Sequence, residues 1–144
     1  MTLAVTLLIL IFHSGTITDH VIKCGTFKVD KPTKVEQAYL RYFRGFTRYS
    51  SNVELIVCCD STFQYKTCAI ISKGIWATKN DSLFLYVSES RWTNDSLNQH
   101  GYKGTWPKIS SKPIGFKVMK DQLERIDVFR NGDKSITRLK FMNH

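Results

Sequence analysis

The chain has 144 residues, 42% of them hydrophobic, and its 21 Lys and Arg outweigh 12 Asp and Glu for a formal net charge of +9. That length suits one domain with a real hydrophobic core, and no internal repeat, low-complexity tract or linker divides it. The basic excess either favours anionic partners (nucleic acid, acidic protein faces or membrane headgroups) or serves solubility.

At the amino terminus, Leu3–Phe12 is an unbroken apolar run closed by His13-Ser14-Gly15-Thr16. Its length fits the core of a secretory signal peptide and falls short of the ~20 residues that span a bilayer. The expected organisation is a signal peptide over 1–17, with cleavage between Ser14 and Thr18, followed by a single secreted domain over 18–144 with no membrane anchor. Four cysteines follow the run: Cys24, Cys58, Cys59 and Cys68. An even number in a secreted domain predicts two disulfides. Cys58 and Cys59 are neighbours whose side chains point to opposite faces of a strand. One of them is expected to bridge to Cys68 across a hairpin and the other to Cys24. No His stands near them at ligand spacing, so neither a metal site nor a cofactor is expected. Asn80-Asp81-Ser82 and Asn94-Asp95-Ser96 are glycosylation sequons, consistent with secretion.

The domain should open with a strand over His20–Val29. Thr33-Lys34-Val35-Glu36 then has the capping-box form of a helix start. Val35, Ala38, Tyr39, Tyr42, Phe43 and Phe46 follow at helical spacing as one apolar stripe, and Gly45 supplies the stop. Beyond the helix, strands are expected over Val53–Cys59, Tyr65–Ser72, Leu83–Ser88, Ile114–Met119, Arg125–Phe129 and Ser135–Met142. Asn131-Gly132 predicts a tight type I′ hairpin between the last two. The polar stretch Asn94–Pro113 reads mostly as loop. The fold class is α+β, with one N-terminal helix packed on a curved antiparallel sheet.

Basic residues concentrate in two places. Lys34, Gln37, Arg41, Arg44 and Arg48 line one side of the helix with only Glu36 as an acidic partner, so a salt-bridged lattice is not expected there. Arg125, Arg130, Lys134, Arg138 and Lys140 gather on the final hairpin. Tyr102 and Trp106 stand among Lys103 and Lys108, a combination suited to single-stranded RNA, although burial is the expected fate of Trp106. His20, His100 and His144 read as solvated surface residues, and Asp121, Glu124 and Asp127 as a charged hairpin edge. No phosphate loop, Gly-x-Ser-x-Gly or His-Glu-x-x-His is present.

Cys24-Gly25 followed by Val35-Glu36-Gln37-Ala38 resembles the opening of the small guanyl-preferring microbial ribonucleases. Glu124-Arg125-Ile126-Asp127-Val128-Phe129-Arg130-Asn131 resembles their Asp-Arg-Val-Val-Phe-Asn segment. Together with the signal peptide and the basicity, these features resemble the secreted ribonuclease-like effectors of powdery mildew fungi, which act inside plant cells. The family's Tyr-x-Cys is here Ile22-Lys23-Cys24, and no cysteine follows Cys68, so its terminal disulfide is not expected. The resemblance implies a ribonuclease-like fold and matches Arg125 to the phosphate-binding Arg. It sets Tyr49-Ser50-Ser51 over Tyr-x-His, and Arg138 where the late His belongs. The general-base Glu falls on Leu83–Ser88 or on Thr105, so neither base nor acid is present and no catalytic residue is assigned. The implied protein is an inactive virulence effector that binds host RNA or an RNA-associated host protein, enters the host cell, and meets a host immune receptor. Its RNA- or anion-binding set would be Arg41, Arg44, Arg48, Tyr49, Arg125 and Arg138. The alternatives are an active secreted ribonuclease or toxin, and a disulfide-stabilised module that binds protein or carbohydrate.

Overall fold

The computed structural model describes residues 22–143, so the expected signal peptide, His20 and His144 lie outside the described residues. Burial alternates along the strands as a two-residue period requires. In β3 (Glu54–Val57) Leu55 and Val57 are buried, and in β4 (Thr62–Lys66) Phe63 and Tyr65 are. In β6 (Ser82–Trp92) Leu83 and Leu85 are buried, and in β7 (Ile114–Met119) Phe116 and Val118 are. These side chains, with Phe27, Leu123 and Leu139, make one continuous core.

The core is the inside of a barrel. β1 (Gly25–Val29) pairs with β3, and the ladder continues through β4, β5 (Ile70–Lys79), β6, β7, β8 (Gln122–Val128) and β9 (Lys134–Phe141). Phe27, Lys28 and Val29 of β1 then pair antiparallel with Phe141, Lys140 and Leu139 of β9, which closes eight strands into a ring. A ninth strand, β2 (Phe46–Tyr49), runs parallel beside the first residues of β9. The expected α+β fold, a helix on a curved open sheet, is therefore corrected to a closed antiparallel β-barrel, and the ribonuclease-like architecture goes with it. Closure abolishes the sheet's edges, so the apolar inner faces cover one another and need no helix to do so.

The helix starts and stops where its caps place it, so Phe46 and Arg48, expected to continue its stripes, fall in β2. α1 (Lys34–Arg44) has Thr33 as N-cap, with the Glu36 amide donating to Thr33 Oγ1 at 3.3 Å and the Thr33 amide donating to Glu36 Oε2 at 3.0 Å. Gly45 ends it at φ 68°, a left-handed conformation that glycine adopts without steric cost. α1 lies outside the barrel, where Leu40, its one buried residue, packs on Phe46 and on Ile136 of β9. A short α2 (Asp95–His100) interrupts the stretch expected to be loop, and Asn98 exchanges hydrogen bonds of 2.8 and 2.9 Å with the Trp92 backbone.

The strand expected over Tyr65–Ser72 divides at Thr67, whose hydroxyl accepts from the Ile70 amide at 3.0 Å and forms a tight turn without Gly or Pro. The last hairpin is present, but its strands end at Val128 and Lys134 and only Gly132 takes positive φ, so the connection is a longer loop than the expected type I′ turn.

One disulfide is formed, Cys24–Cys59, and Cys58 and Cys68 are free. The expected second bridge is corrected on geometry. Cys58 is level with Thr62 at the start of β4, its amide donating to the Thr62 carbonyl at 2.9 Å, whereas Cys68 sits in the turn beyond Lys66. The whole of β4 separates them, about 16 Å at ~3.3 Å per residue, and a disulfide needs Cα atoms within about 7 Å.

Candidate functional site

The six residues expected to bind RNA do not converge. Arg125 and Arg138 leave opposite faces of the wall, because Arg125 pairs in register with the buried Thr137 whereas Arg138 pairs with Glu124 on the outside. Arg125 points into one mouth of the barrel and its Nε and Nη2 donate to Asp127 Oδ1 at 2.9 and 2.7 Å. Residues two apart on a strand share a face, so this partner was readable from the sequence. Around the pair the inner wall is polar. Ser50 and Thr137 share a short hydrogen bond, and Ser72 and Ser90 are bonded at 2.8 Å. Burial pushes the Tyr65 phenol up from its ordinary value, reinforced by the Asp127 charge and opposed by Arg125.

Arg138 is held by Glu124 at 3.0 Å and by Glu36 at 3.6 Å. Arg48 lies 3.7 Å from Asp133 and stacks over the Phe129 ring at 4.9 Å. The Tyr49 hydroxyl donates to the Gln37 carbonyl at 2.9 Å and ties β2 to α1. Four of the six expected residues thus have structural partners. Of the positions matched to the ribonuclease base, Leu83 is in the core and Thr105 lies in an exposed turn bridged to Tyr102. Trp106, expected to be buried, is exposed, as is Tyr102.

Arg41 and Arg44 behave differently. Among the described residues neither makes an ion pair, nor does Lys34, and the three share one flank of α1. The apolar stripe of the same helix was expected to face the core. Instead Val35 is 80% exposed, Tyr42 82%, Phe43 77% and Tyr39 53%. At 100° per residue, Tyr42 stands about 200° round the helix from Leu40, directly away from the barrel. Tyr39 and Phe43 stack on each other with centroids 5.4 Å apart. The capping bonds from Thr33, aided by the charge of Arg138, hold the Glu36 carboxyl below its ordinary value.

The barrel interior offers little room. The space at the end lined by Phe27, Val118 and Phe141 is about 10 Å³, no more than one water requires. Larger recesses lie outside, including one of about 540 Å³ bordered by Lys28, Lys31 and Lys66, where Glu54 neutralises Lys28 at 3.4 Å.

Comparison with protein-family models, with curated proteins and with solved structures finds no match for the chain.

Proposed function

We propose that this is a secreted binding protein rather than an enzyme, in which a filled β-barrel serves as a rigid platform and the outer face of α1 engages a negatively charged partner. The observation that carries the reading is that one exposed helix carries Lys34, Arg41 and Arg44, without ion pairs among the described residues, and an apolar face that no described residue covers. Exposed apolar patches of this kind mark interaction sites more often than ornament, and the free cations give the partner its sign. The expected RNA cleft, by contrast, would need Arg125 and Arg138, whose charges Asp127, Glu124 and Glu36 already meet.

Heparin–agarose tests the sign and the place. Arg41→Gln/Arg44→Gln should elute at clearly lower salt than the parent, because fewer counterions are released on binding. Lys108→Gln/Lys112→Gln removes the same charge from the loop and should elute close to the parent. Equal shifts for the two double variants would show that only net charge matters and would overturn the assignment to α1.

A further inference from the structure

Resting on that reading, we propose that the negatively charged partner is the surface of an anionic lipid bilayer. In this docking Val35, Tyr39, Tyr42 and Phe43 enter the headgroup boundary, while Lys34, Arg41 and Arg44 lie against lipid phosphates and carboxylates. The apolar positions follow at i, i+4, i+7 and i+8, so at about 100° per residue they form one arc in the order Tyr42, Val35, Tyr39, Phe43, and its Tyr42 edge points away from Leu40 and the barrel. Lys34 and Arg41 follow beyond its Tyr42 edge, about 80° and 100° further round, and Arg44 lies beyond them toward Leu40. A helix with an aromatic-rich apolar face and a basic flank is suited to lie in the plane of a bilayer interface with its apolar side chains a few ångströms deep.

Exposed apolar and basic residues also lie beyond the helix. Arg48, four residues beyond the end of α1, stacks on Phe129, which brings the β8–β9 loop to the helix's C-terminal end. There Val128 is 66% exposed and Phe129 41%, and Arg130 and Lys134 are cations without an ion-pair partner in the described structure. The result is a convex apolar ridge edged by positive charge. A convex ridge needs a partner that yields around it, as a lipid surface does. Nucleic acid fits less well. Bases stack on open ring faces, and Tyr39 and Phe43 each cover a face of the other at an interplanar angle of 28°. Val35 has no ring to offer.

The test is co-sedimentation of the full secreted chain with vesicles of phosphatidylcholine and phosphatidylserine (7:3) and with vesicles of phosphatidylcholine alone. A Tyr42→Trp variant serves as a local fluorescent reporter. Binding should favour the anionic vesicles by at least about tenfold, and Tyr42→Trp emission should shift to the blue on binding. Each cation at an anionic surface is worth about fivefold in partition. Arg41→Gln/Arg44→Gln should therefore bind about thirtyfold more weakly, and Tyr42→Ser/Phe43→Ser should lose binding with its melting temperature unchanged. Absence of vesicle binding, equal binding to both compositions, or binding without a Tyr42→Trp shift would each overturn the lipid proposal. If vesicles fail while the heparin shift remains specific to Arg41 and Arg44, the anionic-partner reading stands and a protein with an acidic-rimmed apolar groove takes the place of lipid. If the heparin shift is also absent, both readings fall.

Discussion

Replacing Cys24 and Cys59 together by Ser should lower the melting temperature by about 15 °C. The bridge ties the residue before β1 to the turn after β3, and 35 residues of sequence separate its ends. Within the chain-entropy account, closing a loop of that length removes about 13 cal/mol/K from the unfolded ensemble, or about 4 kcal/mol at 25 °C. For a domain of about 120 residues, 1 kcal/mol corresponds to about 4 °C in Tm. The assay is thermal unfolding followed by circular dichroism, without reductant. Peptide mass mapping should confirm the 24–59 link, and Cys68, the exposed thiol, should alkylate readily in the native protein. Cys58→Ser and Cys68→Ser should each stay within about 2 °C of the parent, because neither thiol closes a loop. A Cys24→Ser/Cys59→Ser protein that melts within 4 °C of the parent would refute the argument. So would a large loss from Cys58→Ser or Cys68→Ser, which would restore a second bridge.

Gly74→Ala should cost at least about 3 kcal/mol or prevent folding, because a Cβ there would stand 2.0 Å from the Tyr86 carbonyl oxygen where the β5–β6 ladder slips register. Gly115→Ala, whose Cβ would meet only the Phe84 ring at 3.4 Å, should stay within about 1 kcal/mol by urea denaturation; equal losses at the two sites would count against the geometry. Leu40→Ala removes the one buried anchor of α1, and hydrogen exchange should show the helix amides losing protection while the barrel amides keep theirs; a uniform loss over the whole chain would mean that helix and barrel unfold as one unit. The lowered Glu36 carboxyl contributes stability that is present above the ordinary Glu value of about 4.3 and is lost as pH falls through the lowered value. The Tm gap between the parent and Glu36→Gln should accordingly be constant above about pH 5 and close in more acid solution, and a gap indifferent to pH would remove the charge from the capping argument.

The sequence carried local structure better than its assembly. Thr33, Glu36 and Gly45 set both ends of α1 because caps act on neighbouring backbone groups and need nothing distant. The strand over Ile114–Met119 also has the bounds expected of that β-rich run. The turn at Thr67 escaped because a threonine hydroxyl did the work that glycine or proline usually signals. Closure escaped for a different reason. Whether β1 meets β9 depends on strand number, tilt and stagger summed around the ring, and no single segment encodes that sum. One of Cys58 and Cys59 was expected to reach Cys68 across a hairpin, but the β3–β4 hairpin turns directly after Cys58 and Cys59 and leaves Cys68 at the far end of β4.

The candidate site divides along similar lines. Arg41 and Arg44 could be found from charge pattern alone, since a flank with a single acid nearby leaves its cations without local partners. The pairing of Arg125 with Asp127 was open to the same reading, but that Arg125 and Arg138 do not converge follows only from the register that sets them on opposite faces of one wall. The larger error concerned Tyr39, Tyr42 and Phe43. An apolar stripe at helical spacing says that a helix has a face to cover, and leaves open what covers it. In an open sheet the helix would supply the second layer and its stripe would be core. A barrel needs no second layer, so the stripe becomes surplus to folding, and Leu40, to one side of that stripe, is the α1 side chain buried against the barrel. Four large exposed apolar side chains, on a helix whose Lys34, Arg41 and Arg44 have no ion pair among the described residues, argue for a surface kept for contact outside the molecule.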